Sequence, residues 1–455
     1  MPHRFAGTGS GPAIAPEVLP MLRVLTAVIL GAAVAHAEPL AATEAEPELP
    51  SLLTLEKARE IFRQRGFDLL VADANVLSAQ GDLAIAGALQ NPGVSLSAGK
   101  NFDCAASQDC KVVSYSIGLS DSNLISNFLS GKHGLRKDFA KAALEAARRS
   151  RDDARRTLEF TLKQTFYQAL LTSAQRDVAR ENRDSFLRTR QLNEKRFELG
   201  AMNEADLATI QVAHLEAEQA LATTEQNVRA AKVAVAFLLG FRKLVPDFTL
   251  DQKELEFALP GPVATATRES LLEGALERRP DLAAFDQQVS RAAAGLRLAR
   301  RNVIPDVGLG FTYSANGAGD SNISPPNGSI NLSFAAPLLY FQSGEIRKAE
   351  ADLITQQVLR LKSQAQVVSD VETAWAQLQA SHDLVQRMQT TLLERARKAR
   401  DLVQVQYEKG AASLLDLLNA QRTYTAARGE YAQDLANYWI AVSLLEEATA
   451  RELKQ

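Results

Sequence analysis

Cysteine is almost missing from these 455 residues: there are two, Cys104 and Cys110. Two thiols with no histidine beside them cannot complete a zinc shell, so a short loop disulfide is expected in preference to a metal site. Histidine is scarce as well. His3, His36, His133, His214 and His382 lie far apart, too scattered for the usual metal clusters, and His133, His214 and His382 read as packing or surface residues. Neither a phosphate-cradling glycine loop nor a nucleophile motif is found. No enzyme, metal or cofactor is therefore expected. The net charge of −3 leaves no basic face for nucleic acid. No run of eighteen apolar residues occurs, so no transmembrane helix is expected in the mature chain.

Residues 24–34 are a short apolar core preceded by Arg23 and followed by Ala35-His36-Ala37, the pattern of a cleavable signal peptide over 1–37. Met21 makes 1–20 a candidate misassigned start, and 38–50 is low-complexity. Export implies an oxidising compartment. No cysteine lies just after the cleavage site to accept a lipid.

The rest of the chain repeats itself. Arg196-Phe197-Glu198-Leu199-Gly200-Ala201 resembles Gln406-Tyr407-Glu408-Lys409-Gly410-Ala411, and Asp206-Leu207 resembles Asp416-Leu417, both at an offset of 210. Asp68-Leu69 matches Asp281-Leu282 at 213, and Arg136-Lys137 matches Arg347-Lys348 at 211. Ordered matches at nearly one offset indicate a duplication: repeat one over 51–240, a proline-containing linker over 241–267, and repeat two over 268–455. Each repeat reads as helix, strand, strand, long helix, turn, helix. The first helix is expected unbroken over Leu55–Leu89 in repeat one. In repeat two it is expected split before Pro280.

Proline is absent from Gly134 to Leu199 and from Glu345 to Lys409. Each stretch would span about 100 Å as one helix. Val371, Leu378, Val385, Leu392 and Ala399 recur every seven residues, a coiled-coil-like seam. An ordinary solvated bundle would carry the same glycine turns at Gly200 and Gly410.

Four short segments near residues 94–99, 113–119, 307–313 and 330–334 alternate apolar with small or polar side chains, the mark of half-buried strands. A small soluble sheet would look alike. The export signal and long helices favour a lipid-facing barrel. Four strands cannot close one, and an open edge in lipid leaves backbone groups unpaired, so several chains must share it. Three chains would supply twelve strands. Residues 102–111 and 314–329 would then be the external loops.

On Arg279-Pro280-Asp281-Leu282, the run Pro337 to Gly344, Tyr407-Glu408-Lys409-Gly410 and Leu414 to Gln421, the chain resembles the TolC-type outer-membrane efflux channel family over nearly its whole mature length. The resemblance implies a mainly α fold with a small β part. Duplicated helix hairpins form an α-barrel, and four strands per protomer join a trimeric 12-stranded β-barrel in outer-membrane lipid. It implies a homotrimer that works with a periplasmic adaptor and an RND-type inner-membrane pump. It also implies hairpin tips at Gly200-Ala201-Met202 and Gly410-Ala411-Ala412 that meet the adaptor. A periplasmic gate would include Tyr407, Asp416 and Asp206, with Asp416 in an acidic ring and Asp206 as acceptor for Tyr407. Both aspartates equally suit helix capping. Ala412 and Asn419 depart from the family's gate pattern, implying a looser, less charged constriction. The look of Ser343 to Glu350 leans toward the cobalt-zinc-cadmium efflux branch. The same channel for organic drugs or a secreted polypeptide, and a soluble periplasmic coiled-coil adaptor, remain the alternatives.

Overall fold

A computed structural model describes residues 49–100, 113–316, 326–334 and 337–453. Cys104 and Cys110, the signal peptide and most of the second hairpin loop lie outside them. Repeat one comprises β1 (Leu52–Leu53), α1 (Leu55–Arg65), α2 (Phe67–Gly87), β2 (Gly93–Lys100), β3 (Val113–Ser120), α3 (Leu124–Leu129), α4 (Lys132–Glu198) and α5 (Glu204–Leu238). The connecting stretch carries β4 (Thr249–Leu250), a 3₁₀ turn at Gln252–Leu255 and α6 (Gly261–Thr265). Repeat two comprises α7 (Arg268–Arg278), α8 (Pro280–Arg301), β5 (Val307–Asn316), β6 (Asn327–Phe334), α9 (Ser343–Arg387), a π-helical turn at Met388–Leu392, α10 (Leu393–Glu408) and α11 (Leu414–Thr449).

The first helix of repeat one is not continuous, contrary to expectation. It stops at Arg65, turns through the extended Gly66 and restarts at Phe67, which mirrors the break at Arg279 between α7 and α8. A Cβ at Gly66 would meet the Phe62 ring at 2.6 Å, so glycine fits the tight exit there, while Pro280 opens the helix in the other half. By length and composition Leu55–Gly87 is also apolar enough to cross a membrane. The break divides it, and α2 is tied to α4 by Asp73 and Arg151 at 2.7 Å.

The long helices form as the missing prolines require. α4 runs for 67 residues, about 100 Å, and α9 continues through the π turn into α10 over a similar length. That turn corrects the seam. Ser363, Val367, Val371, Ala374, Leu378, Ser381, Val385 and Met388 are all buried, at three- and four-residue steps. The π turn then adds one residue. The covered stripe resumes at Leu393, Ala396, Arg400, Val403 and Tyr407, while Leu392 and Ala399 of the expected seam are exposed, Leu392 at 46%.

The four long strands form one antiparallel sheet in the order β2-β3-β5-β6. Register puts like on like: Val94, Leu119, Phe311 and Ile330 form one cross-strand row, and Leu309 lies opposite Leu332. The opposite face carries Ser97, Ser116, Ser314 and Asn327 in a row, with the Ser97 and Ser116 hydroxyls 2.7 Å apart. The apolar face is bare in the protomer.

The main core lies midway along the helices. Tyr167, Phe166, Leu170, Phe248, Tyr438 and Trp439 are buried there. Tyr438 Oη donates to the Ala258 carbonyl and Trp439 Nε1 to that of Glu256, strapping the connector onto α11. Ion pairs ring this core. Glu159 on α4 accepts from Arg63 and Arg155 at 2.7 and 3.0 Å. At the matching place on α9, Asp370 accepts from Arg279 at 2.8 Å, and Arg279 also forks onto Asp281. Lys163 and Glu446 form a buried pair at 2.6 Å.

Candidate functional site at the helix tips

Both hairpins turn by the same local chemistry. At the end of α4, Gly200 adopts φ +67°; its N–H donates to the Phe197 carbonyl and that of Ala201 to the Arg196 carbonyl. At the end of α10, Gly410 adopts φ +78°, and Gly410 and Ala411 donate to Tyr407 and Gln406. This is the helix-ending arrangement that needs a left-handed residue, which glycine supplies without a Cβ clash.

Each returning helix then starts on a polar cap. Asn203 Oδ1 accepts from the Asp206 N–H at 2.7 Å, and its amide donates to the Asp206 carboxylate at 2.8 Å. Ser413 Oγ accepts from the Asp416 N–H at 3.2 Å and donates to its carboxylate at 2.6 Å; the Ser413 N–H donates there too. The Ser413 hydroxyl and N–H hold the Asp416 carboxyl below its ordinary range, so it is anionic throughout neutral pH. Asp416 is exposed and Asp206 half-buried. Asn203 and Ser413 are thus the N-caps; Asp416 completes a capping box on the Ser413 N–H, whereas Asp206 meets only the Asn203 side-chain amide, and Asp416 keeps its charge in solvent.

Tyr407 is placed differently from the expectation. It is buried, and its hydroxyl donates to Asn193 Oδ1 at 2.6 Å, not to Asp206. Asn193 is fully buried, and its amide donates to the Thr189 carbonyl. Arg196 covers the Tyr407 ring at 5.1 Å and donates to the Glu408 carbonyl. The Asp206 carboxylate meets Asn203, and Asn193, inside the tip on α4, presents a desolvated side-chain carbonyl to Tyr407 instead. The duplicated partner of Tyr407 is Phe197, which is 40% exposed, so the two tips share a turn but not a clasp.

A small apolar cluster backs the clasp: Phe186, Ile210, Ala213, Leu414, Leu417 and Leu418, with Met202 and Ala412 of the turns packed on it. Gly200, Ala201, Gly410 and Ala411 stay exposed. Farther up, Asn182 Oδ1 on α4 accepts from Gln421 and Thr425 on α11, and Glu181 pairs with Arg428 and Arg400. Asn182, Asn193, Arg196 and Glu181 were missed in the sequence. A signal existed: Asn182, Phe186 and Asn193 fall at four- and seven-residue steps, and a polar residue on a packing seam commonly fixes register.

No group of three or more histidine, cysteine, aspartate or glutamate side chains that could hold a metal exists among the described residues. His133 stacks on Phe128 at 4.9 Å, His214 is buried in α5, and His382 lies against Phe257 and Tyr438. The exposed Asp416 carboxylate leaves an anionic group at the tip of the protomer. The site has no groups to do covalent chemistry.

The sequence pattern of the outer membrane efflux protein family matches residues 59–241 and 271–451. The pyoverdine export outer membrane protein OpmQ of Pseudomonas putida is 28% identical over 406 residues, covering 86% of this chain and 83% of that protein. The cobalt-zinc-cadmium resistance protein CzcC of Cupriavidus metallidurans is 24% identical over 399 residues, covering 88% and 90%. A crystal structure of CusC superposes with a TM-score of 0.71 at 16% identity, covering 91% of this chain and 98% of that one.

Proposed function

Since this chain belongs to the outer membrane efflux protein family, we propose that three copies form the passive outlet of a tripartite efflux pump. The chain is an outer-membrane channel subunit whose helices extend into the periplasm, and it is a duct and not an enzyme. The number three is what the family resemblance implies; the sharing of one barrel between copies rests on one observation. The sheet ends in unpaired edges at β2 and β6, and its exposed apolar face suits lipid. In an up-and-down order β6 of one copy can pair antiparallel with β2 of the next. Three copies then close twelve strands, leaving no edge in the bilayer.

The tips Gly200-Ala201-Met202 and Gly410-Ala411-Ala412 are the contact surface for the periplasmic adaptor, and the RND-type pump supplies the energy. The gate comprises Tyr407, Asp416 and Asp206. The Tyr407–Asn193 bond supports the closed position of the second hairpin, and three Asp416 carboxylates form a cation-attracting ring.

For the cargo, the reading is heavy-metal cations, supported by the similarity to CzcC. The higher identity to OpmQ favours a second reading, a small organic metal chelator. Neither needs a ligand cluster in the duct, because the pump selects. Growth of a deletion strain across cobalt, zinc and cadmium salts tests the first reading: sensitivity to these metals is expected. Unaltered tolerance with loss of a secreted chelator would replace it by the second. Recovery of the protein in the soluble periplasmic fraction would reject the channel.

A further inference from the structure

Two apolar patches lie where the strands hand over to the long helices, and the protomer covers neither. After β3, the short helix α3 shows Ile125, Phe128 and Leu129 at 48%, 55% and 85% exposure. After β6, the segment before α9 shows Leu338, Leu339, Tyr340 and Phe341 at 81%, 99%, 51% and 59%. Scattered exposed leucines are ordinary; clusters at corresponding points of a duplicated chain mark an interaction surface.

The backbone is held so as to present them. Three of the four left-handed non-glycine residues among the described ones are Ser122, Asn123 and Gln342, at these two junctions. Such conformations persist only where the surroundings enforce them. At the first junction Asp121 accepts from the N–H groups of Asn123, Ile125 and Leu309. At the second, the Tyr340 hydroxyl donates to Glu345 and accepts from the Gly344 N–H.

A basic pair follows each patch. Arg136-Lys137 and Arg347-Lys348 both begin at the fifth residue of their helices, about 6 Å along the axis from its start. The headgroup layer on one side of a bilayer is roughly 5–8 Å thick. Neighbouring cations have protein partners: Lys132 binds Asp306 and the Ile304 carbonyl, and Arg300 binds Glu350. The four residues of the pairs have no carboxylate partner among the described residues.

We infer that each protomer's two junctions form an interfacial collar that binds phospholipid of the periplasm-facing leaflet. The apolar patches enter the acyl boundary, and Arg136, Lys137, Arg347 and Lys348 hold headgroup phosphates. The occupant is lipid because the patches continue strands whose last apolar residues, Leu119 and Phe334, already face outward and bare, and because unpaired cations complement phosphate. This inference rests on the channel reading.

The test uses the full chain in bilayers of phosphatidylglycerol and phosphatidylcholine. Leu129→Trp and Leu339→Trp are each expected to add fluorescence quenched by lipid brominated at shallow acyl positions and not by acrylamide. Quenching by acrylamide, or by neither, would overturn the collar; the latter would assign the patch to a neighbouring protomer. Arg136→Gln, Lys137→Gln, Arg347→Gln and Lys348→Gln combined should lower co-purifying phosphatidylglycerol at least about fivefold, the factor one such residue contributes at an anionic surface, with the barrel still inserted. Unchanged lipid, or equal loss on adding inorganic phosphate to the parent, would count against it. A parent chain that never inserts in membranes would instead sink the channel reading.

Discussion

The middle of the helices and their tips are built from the same two repeats, yet they hold together by different means. The middle has a broad apolar core ringed by multidentate ion pairs, Glu159 with three arginines and Arg279 with two aspartates. The tip has a small cluster and one buried side-chain bond between α10 and α4, Tyr407 to Asn193. The proposed gate would need this division, a wall that stays and an end that moves. Interactions spread over many partners resist local opening, whereas a single bond with a small apolar backing opens at modest cost.

Breaking the middle should cost most. Arg279 is 4% exposed, and Arg279→Ala strands Asp281 and Asp370; a loss of about 3–5 kcal/mol is expected for breaking such a pair, read by denaturant unfolding. A small effect would mean that the carboxylates find water and that the middle is no firmer than the tip. Acid should act on the same region. Burial raises the Glu159 pKa, but Arg63 and Arg155 outweigh it and bring it down to about 2 from 4.5. A depressed folded-state value contributes stability above the unfolded pKa, lost as pH falls. Melting temperature should therefore drop between about pH 5 and pH 2, and less so in Glu159→Gln.

At the tip, Tyr407→Phe removes the partner of buried Asn193, a local penalty of about 1–3 kcal/mol. Conductance in planar bilayers should rise while the melting temperature of the assembly barely moves. A large drop in melting temperature would erase the distinction between the two regions. Asp416→Asn is a finer cut: it keeps a capping side chain but removes the charge, so cation preference should fall without a change in stability. Equal selectivity would leave Asp416 as a cap alone. The smallest effect belongs to the seam. Leu392→Gln should stay within about 0.5 kcal/mol, since the π turn has moved that residue out of the packed stripe.

Much of this was legible because it depends on local rules. Missing prolines announced α4 and α9, glycine at matched positions announced both tips, and period-two alternation announced β2, β3, β5 and β6. The break at Gly66 was less visible, because an isolated glycine is tolerated inside many helices. The seam beyond Met388 was misread because a π turn leaves the heptad letters intact while rotating everything after it. At the tip, the acceptor of Tyr407 differs from the expected one. Asp206 was the obvious candidate by charge; Asn193 is chosen by depth, which depends on how α10 lies against α4.

The sequence alone determined the strand alternation and the turn positions, since each follows from steric or hydrogen-bonding limits acting within a few residues, and the duplication, which is read from ordered matches along the chain. Tertiary structure decided which acid meets which arginine, which face of α10 is covered, and that Tyr407 closes on Asn193. Those outcomes depend on the relative rotation of helices about 100 Å long, where one extra residue turns every later side chain by about 100°.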